Sequence, residues 1–396
     1  MTATRIGVAT LTAVALGLAL VLWRTSVPDD LPLPHVEPTA YFTPAQLHVR
    51  AHHDVVLRWL GLGTMAAQLV ALLALARRPP PVRGHAVLRA AQLGALAAVA
   101  LFLARLPFGV AVLWWQRRSD IARVGYGQWL LDGLPGLAER AALFALAAAL
   151  CIALARRVDR RWWLGAAPAF AALGVVVTLA QPLLTPRLAP LQRPRLVGEI
   201  QAVGREQGLD HVDVQVQRVH ERTRQLNAEA LGIGPTTRVI LWDTTLRLPP
   251  REIRFLAGHE LGHVSRKHLW KGLAWFVLLV VPSTWLLARV VPLRGPEEVP
   301  RAVLAGVAIL FALTPFTNAI SRRYEAEADW VGLETTRDPR AAKRFFVDLS
   351  AAGLRTPNPP RWSVIVFGSH PSLTDRIAMA EAWARSRRAA APRAGS

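Results

Sequence analysis

Two histidines flanking a glutamate give the chain its clearest chemical signal. Residues 259–263 read His-Glu-Leu-Gly-His, inside an apolar-rich run that begins near Pro250 and is not broken by a proline. Histidines four residues apart lie on one face of a helix, so His259 and His263 can bind the same zinc ion. Glu260 lies beside them, where it can act as general base for an attacking water molecule. The pattern predicts zinc-dependent hydrolysis, and the alternative is a chance match among the 11 histidines.

A third ligand has to come from outside this motif, because catalytic zinc sites use three protein ligands and leave one position open. The candidates are the downstream glutamates Glu297, Glu298, Glu325, Glu327 and Glu334. Glu325 directly follows an apolar segment on the histidine side of the membrane, whereas the first two lie in a turn at the opposite side. Asp329, four residues later, can accept a hydrogen bond from a ligand histidine. We therefore predict one zinc ion per chain, bound by His259, His263 and Glu325; a solvated acidic helix face is the alternative.

Three other residues receive weaker roles or none. His268 lies five residues past His263, which in a continuous helix turns it away from the metal-binding face and predicts a position at the surface or behind the ligands. Glu327 lies about half a helical turn from Glu325 and is expected to point away from the metal. Cys151 is the single cysteine, which excludes an intrachain disulfide framework and a cysteine-based metal site.

The composition of the whole chain indicates a membrane protein. Of 396 residues, 52% are hydrophobic and 19% are charged, yet the formal net charge is +20. Such hydrophobicity excludes a disordered chain. The arginines cluster at the ends of apolar runs, where their stems can lie along apolar surface. The net charge is thereby explained without a nucleic-acid partner, and the expected environment is the lipid bilayer.

Seven apolar segments are long enough to suggest membrane-spanning helices of about 20 residues. They lie at about 6–23, 55–76, 86–115, 137–155, 162–184, 270–291 and 302–320. Before the second segment, Thr43, Pro44 and Gln46 form the pattern of a helix start, with threonine as the N-cap. The sixth and seventh segments form one hairpin, so the polar stretches on either side of it emerge on the same side of the membrane.

These segments divide the chain into two predicted domains. Residues 1–185 form an N-terminal membrane domain with five spans. Residues 186–396 form a zinc metallopeptidase domain, interrupted by the membrane hairpin 270–320 and ending in a disordered tail at 386–396. In the first polar stretch, 196–208 has the pattern of an amphipathic helix, and 212–217 and 238–242 have that of strands. A small sheet beside helices is the expected structure.

Together these motifs resemble a known family. The histidine motif, with Asn-Ala-Ile-Ser-Arg-Arg-Tyr-Glu-Ala-Glu-Ala-Asp at 318–329, is similar to the integral-membrane zinc metallopeptidases typified by type I CAAX prenyl endopeptidases. The heat-shock membrane protease group is a more distant relative. Further similar stretches lie at 41–44, 106–108, 226–228, 240–244 and 369–371, the last followed by Arg376. The resemblance covers nearly the whole chain.

This resemblance implies a fold and further site residues. The fold is a membrane all-α architecture of about seven transmembrane helices that enclose a water-filled chamber, with a split, gluzincin-like α+β zinc peptidase domain. Glu260 would act as base and proton shuttle, and Asp329 would lie behind the ligands. Asn227 would bind the substrate backbone. His370 and Arg376 would lie near the cleavage centre and support the oxyanion or the substrate.

The predicted function is that of a zinc-dependent endopeptidase that hydrolyses peptides or membrane proteins. Protein quality control and prenyl-protease-like processing are the candidate roles. The chain contains many arginines but only three lysines, which suggests a GC-rich bacterium and therefore a multi-pass protein of the bacterial cytoplasmic membrane. The alternatives are a seven-span transporter or receptor with an incidental histidine pair, or a catalytically inactive membrane scaffold.

Overall fold

The computed structural model describes residues 3–184, 188–232 and 234–390, and these residues are mostly helical. The described part contains twelve α-helices and a small sheet, as the predicted fold class requires. The helices are α1 Ala3–Trp23, α2 Pro44–Arg77, α3 Ala86–Arg118, α4 Tyr126–Val158, α5 Trp163–Leu184, α6 Pro194–Glu206, α7 Pro250–Ser265, α8 His268–Val290, α9 Val299–Thr336, α10 Pro339–Gly353, α11 Arg361–Phe367 and α12 Leu373–Ala390.

Six helices of the described chain are long and apolar enough to cross a membrane. They are α2, α3, α4, α5, α8 and α9, so the prediction of a multi-pass membrane protein is confirmed. The first predicted span corresponds to a shorter apolar helix, Ala9–Trp23, within α1. Several helices extend beyond their apolar segments: α3, for example, has 33 residues and continues through Pro107. Hydropathy detects only the apolar part of such a helix, whereas its backbone hydrogen bonds extend further.

The start of α2 follows the sequence pattern closely. The backbone N–H of Gln46 donates to Thr43 Oγ1 at 3.3 Å, and the backbone N–H of Thr43 donates to Gln46 Oε1 at 3.1 Å. Two donors that a helix start leaves unpaired are thus satisfied reciprocally, which is the capping-box arrangement. Pro44 occupies the first helical position, where its missing N–H costs nothing.

The sheet has four strands in the order β1-β2-β4-β3. The strands are β1 Ala189–Pro190, β2 Asp213–Gln217, β3 Ala228–Leu231 and β4 Arg238–Trp242. The two strands predicted from alternation, β2 and β4, pair in parallel, from Asp213 opposite Arg238 to Gln217 opposite Trp242. β3 pairs antiparallel with β4 and forms one edge of the described sheet.

Packing divides the chain into two compact units. One contains residues 1–55, 181–272 and 314–396, and the other contains residues 56–180 and 273–313. Composition predicts a boundary between residues 185 and 186, whereas packing groups residues 1–55 with the sheet. Val36, for example, belongs to the same apolar core as Phe255 and Phe346. Residues 386–390, predicted to be disordered, continue helix α12, and 391–396 lie outside the described residues.

Helices α7 and α9 approach each other unusually closely in the first unit. A Cβ added to Gly262 would lie 3.3 Å from the Cα of Ala328, and one added to Gly258 would lie 3.3 Å from the Cα of Gly332. Small residues on both helices therefore allow backbone contact. This contact brings the side chains of α9 within reach of the histidine pair on α7.

We expect Gly262→Val to force α7 and α9 apart, because even the first added carbon meets backbone atoms of α9. Overpacking of this kind costs about 1–3 kcal/mol, so thermal unfolding of the detergent-purified protein should shift to lower temperature. Gly198→Val in α6 is the matched control, since an added Cβ there meets nothing within 4 Å. Equal unfolding temperatures for the two variants would contradict the close packing.

Candidate metal centre

Three predicted ligands come together at the contact of α7 and α9. Nε2 of His259 lies 3.3 Å from Nε2 of His263. The Glu325 carboxylate lies 3.4 Å from Nε2 of His259 and 3.5 Å from Nε2 of His263. His259 is buried, and the other two residues are partly buried. The structure thus converges two imidazole nitrogens and one carboxylate on a single point.

This geometry fits a metal ion. Two ligand atoms bound to zinc at about 2.1 Å and at a tetrahedral angle lie about 3.4 Å apart, which is close to all three separations. Oε2 of Glu325 is buried and has no hydrogen bond of good geometry, although Nε2 of His370 and of His259 lie 3.2 and 3.4 Å from it. A cation between the three side chains would supply the missing partner of that oxygen.

His259 is held from behind by an acid and an arginine. Its Nδ1 lies 2.9 Å from Oδ1 of Asp329, so a proton on Nδ1 leaves the Nε2 lone pair for a metal. Arg376 donates to both oxygens of Asp329, at 2.6 and 2.7 Å, and lies over the ring of Phe346. The family resemblance predicts that Arg376 supports the oxyanion or the substrate, and this role stays a prediction. In the structure the guanidinium is buried and orients Asp329.

His268 supports His263 on the side away from the other candidate ligands. Helix α7 ends at Ser265, and Lys267 adopts a positive φ of 56°. This turn brings His268 back toward the site, with its Nδ1 at 2.9 Å from Nδ1 of His263. His268 therefore lies behind a ligand, one of the two positions expected for it, although the end of the helix rather than its continuation places it there. Glu327 does point away from the ligand atoms, and it bonds instead to His268.

The local sequence carries little signal that His268 contacts His263 or that Glu327 bonds to His268. A helix end is usually marked by glycine, which adopts positive φ without strain, but here the left-handed position is occupied by Lys267. The imidazole of His268 also stacks on Tyr324, with ring centroids 4.7 Å apart. The sequence offers one sign, a histidine at the very start of an apolar membrane helix.

Glu260 lies on α7 beside the first ligand. Its carboxylate accepts a hydrogen bond from the backbone N–H of Ala230, in edge strand β3. Burial raises the pKa of Glu260 to about 7, because a low-dielectric environment disfavours the charged form. The nearby Glu325 carboxylate raises this pKa further, and His259 opposes the shift.

The two ligand histidines have opposite electrostatic environments within the polypeptide. Burial acts to lower the pKa of His259, but the hydrogen bonds to Asp329 and Glu325 outweigh it and raise that pKa well above its usual value. Burial lowers the pKa of His263 to about 3, and the positive charge of His259 adds to this effect. His263 is therefore neutral at physiological pH, as metal binding requires.

The remaining predicted site residues are His370 and Asn227, and the side chains of both are exposed to solvent. Nε2 of His370 is 3.2 Å from Oε2 of Glu325, and the side chain is 55% exposed. The loop before it is fixed by α9: Asn318 donates to the carbonyl of Val366, and Arg322 donates to that of Gly368. Asn227 is exposed and directly precedes β3, and its backbone bonds to Thr245 and Trp242.

Fold and site together define the class of integral-membrane metallopeptidases. Residues 190–384 match the model of peptidase family M48. The resemblance inferred from the motifs is thereby confirmed. The match includes all the residues that carry the metal centre.

Curated relatives and a solved structure agree with this assignment. The chain is 33% identical over 258 residues to the uncharacterized metalloprotease YhfN of Bacillus subtilis, which covers 60% of the chain and 61% of that protein. It is 27% identical over 185 residues to a protease HtpX homolog of Pseudarthrobacter chlorophenolicus, which covers 41% of the chain and 64% of that protein. The chain thus spans less than two thirds of either relative. The crystal structure of Ste24p from S. mikatae has the same fold, with a TM-score of 0.75 at 16% identity, over 93% of this chain and 97% of that one.

We expect Arg376→Leu to destabilise the protein by about 3–5 kcal/mol, because it leaves the buried Asp329 carboxylate without its charged partner. Unfolding in denaturant, followed by tryptophan fluorescence in detergent, measures the loss. The control is Arg385→Leu on the same helix: this exposed arginine pairs with Glu381 at 3.5 Å, and such pairs contribute about 0–1 kcal/mol. Similar losses in both variants would show that the Arg376 pair contributes no more than a surface contact.

Proposed function

We propose that this protein is a zinc-dependent endopeptidase that hydrolyses peptide bonds in peptides or membrane proteins. One observation carries the proposal: three ligand atoms lie 3.3–3.5 Å apart with the partly buried Glu260 next to them. Two imidazoles and one carboxylate leave one position of a tetrahedral zinc ion open, which is typical of catalytic rather than structural sites. We propose one zinc ion per chain, because the described residues contain one such cluster.

The polypeptide supplies the proton transfer in the proposed reaction. Zinc, when bound, supplies a Lewis acid that polarises the scissile carbonyl group and favours ionisation of water. Glu260 accepts the proton of the attacking water molecule and returns it to the leaving amine, so that the charge on the enzyme is restored at the end of the cycle. His259, His263 and Glu325 hold the metal, and Asp329 orients His259.

Substrate recognition is proposed to involve the edge of the sheet. β3 is an edge strand, and the N–H of Ala230 in this strand already reaches Glu260. An extended peptide can add to such an edge through backbone hydrogen bonds. The exposed Asn227 at the start of β3 would bind the substrate backbone, and the partly exposed His370 would donate to the developing oxyanion.

The proposed domain organisation follows from the family match. The peptidase domain would occupy residues 186–396 with the hairpin 270–320 inserted, and residues 1–185 would form the membrane domain. The match to residues 190–384 supports the first assignment. Residues 24–42 would contribute additional contacts, since Tyr41 donates to Glu381 at 2.6 Å.

A bacterial cytoplasmic membrane is the proposed location, with protein quality control or prenyl-protease-like processing as the role. The two curated relatives come from bacteria and carry protease names. Ste24p, whose fold is shared, supports a membrane setting but not a particular substrate. Membrane proteins that accumulate when the enzyme is inactive would therefore identify the substrate class.

Zinc content tests the ligand assignment. The purified wild-type protein should contain about one zinc ion per chain, and His259→Ala or Glu325→Ala should remove it, because two ligands hold catalytic zinc poorly. Metal analysis by plasma mass spectrometry after dialysis gives the stoichiometry. His211→Ala and Glu206→Ala, both exposed residues of the same unit, are the controls. Zinc retained in both ligand variants would refute the assignment.

Glu260→Gln tests the reaction. The variant should keep its zinc and lose about 10²–10⁴-fold in peptidase rate, since the amide cannot accept the proton of water. Rates are measured on a quenched fluorescent peptide library. Quantitative proteomics of cells that carry the variant, with His259→Ala cells for comparison, identifies the trapped substrates. A variant as active as wild type would remove Glu260 from the mechanism, and a metal-free, inactive wild type would favour a transporter, receptor or scaffold.

A further inference from the structure

His268 and Glu327 form a buried polar pair behind the metal centre. Nε2 of His268 lies 2.9 Å from Oε2 of Glu327, and their side chains are 6% and 3% exposed. On its other side, Nδ1 of His268 lies 2.9 Å from Nδ1 of His263. A continuous chain of hydrogen bonds therefore leads from a buried carboxylate to a ligand of the metal centre.

Three groups hold the Glu327 carboxylate in its ionised form. The backbone N–H of Ser26 donates to Oε1 at 2.7 Å, and Nζ of Lys271 donates to Oε2 at 3.1 Å. Nε2 of His268 is the third partner. Two of these partners are obligate donors, and a carboxylate that receives them is stabilised in its charged, accepting form.

The direction of each hydrogen bond follows from this charge. An ionised carboxylate only accepts, so Nε2 of His268 carries the proton in its bond to Glu327. A neutral His268 then has its lone pair on Nδ1, where it accepts the Nδ1 proton of His263. His263 is left with its own lone pair on Nε2, the atom that faces Glu325 and His259.

The opposite arrangement would prevent metal binding through Nε2. If Nδ1 of His268 carried the proton, it would donate to Nδ1 of His263 and leave the proton of His263 on Nε2. A protonated ring nitrogen has no lone pair for a metal. The charge of Glu327 therefore determines which nitrogen of His263 can bind the metal, although Glu327 does not touch His263 itself.

We propose that Glu327 and His268 form a positioning relay that fixes the metal ligand His263 in its zinc-binding tautomer and orientation. The inference deepens the proposed function and rests on it, because it takes His263 to be a metal ligand. The relay is independent of the one formed by Asp329 and Arg376, which acts on His259. It also uses the N-terminal segment, through the N–H of Ser26, as part of the support of the site.

The packing around His268 defines which variants separate positioning from folding. His268 stacks on Tyr324 at 4.7 Å, so His268→Phe retains the ring but removes both hydrogen bonds. His268→Gln retains an acceptor and a donor on one side chain. Glu327→Gln is isosteric and gives His268 a side-chain amide that can also donate. Glu334→Gln on the same helix is the control, since this carboxylate bonds to Trp383 away from the relay.

Zinc affinity is measured on each metal-depleted variant by competition with a chromophoric chelator. We expect His268→Phe and Glu327→Gln to bind zinc about 10–100-fold more weakly, the usual effect of losing an outer partner of a metal-bound histidine. His268→Gln and Glu334→Gln should stay within about threefold of wild type. Nitrogen-15 NMR of histidine-labelled, metal-free protein should show His263 protonated on Nδ1 in wild type and a mixture of tautomers in Glu327→Gln.

Several outcomes are decisive. Wild-type affinity and an unchanged His263 tautomer in both His268→Phe and Glu327→Gln would overturn the relay. Equal weakening by His268→Gln and His268→Phe would also overturn it, because loss of packing rather than of hydrogen bonds would then be responsible. If Glu327→Gln does not fold, as judged by its elution profile and unfolding temperature, the two His268 variants carry the test. Failure of the proposed function is distinguishable, since wild type itself would then bind no zinc or His263→Ala would retain it.

Discussion

The backbone contact between α7 and α9 is the constraint on which the metal centre depends. Two ligands lie on one helix and the third on the other, and their lone pairs must meet within about 2 Å of a common point. Gly262 against Ala328 allows this approach. A larger side chain at this contact would separate the two helices and with them the candidate ligand atoms. The proposed metal centre therefore requires small residues at the helix contact as well as suitable ligands.

Burial of so many polar groups at one helix contact requires that each be paired. Asp329 receives a guanidinium and Glu327 receives a lysine, a histidine and a backbone N–H, so neither buried carboxylate is left uncompensated. His259 contacts the Asp329 carboxylate directly, whereas His263 is connected to Glu327 through the imidazole of His268. Oε2 of Glu325 is the buried oxygen that these arrangements leave to the metal. This oxygen faces the point on which the three candidate ligands converge.

Local geometry explains how much of the molecule could be predicted from the sequence. Helical periodicity was enough to place His259 and His263 on one face, and apolar segments were enough to locate the membrane helices. The position of His268 could not be predicted, because it depends on a left-handed turn at Lys267 that no glycine marks. The partner of Arg376 lies 47 residues away in sequence, and that of Ser26 lies 301 residues away. Such contacts are set by tertiary packing, which the spacing of residues within one element does not contain.

The bond between Ser26 and Glu327 has a consequence for biosynthesis. Its two residues are separated by 301 positions, and a ribosome that adds about 5–20 residues per second needs about 15–60 s to cover that distance. The carbonyl group of Leu22 accepts a hydrogen bond from Tyr324, and that of Trp23 accepts one from Arg323. These donors are synthesised after a similar interval. The histidine motif at 259–263 is synthesised before α9, which carries Glu325 and Glu327. The candidate ligand set, and its support from the N-terminal segment, can therefore assemble only once α9 has been made.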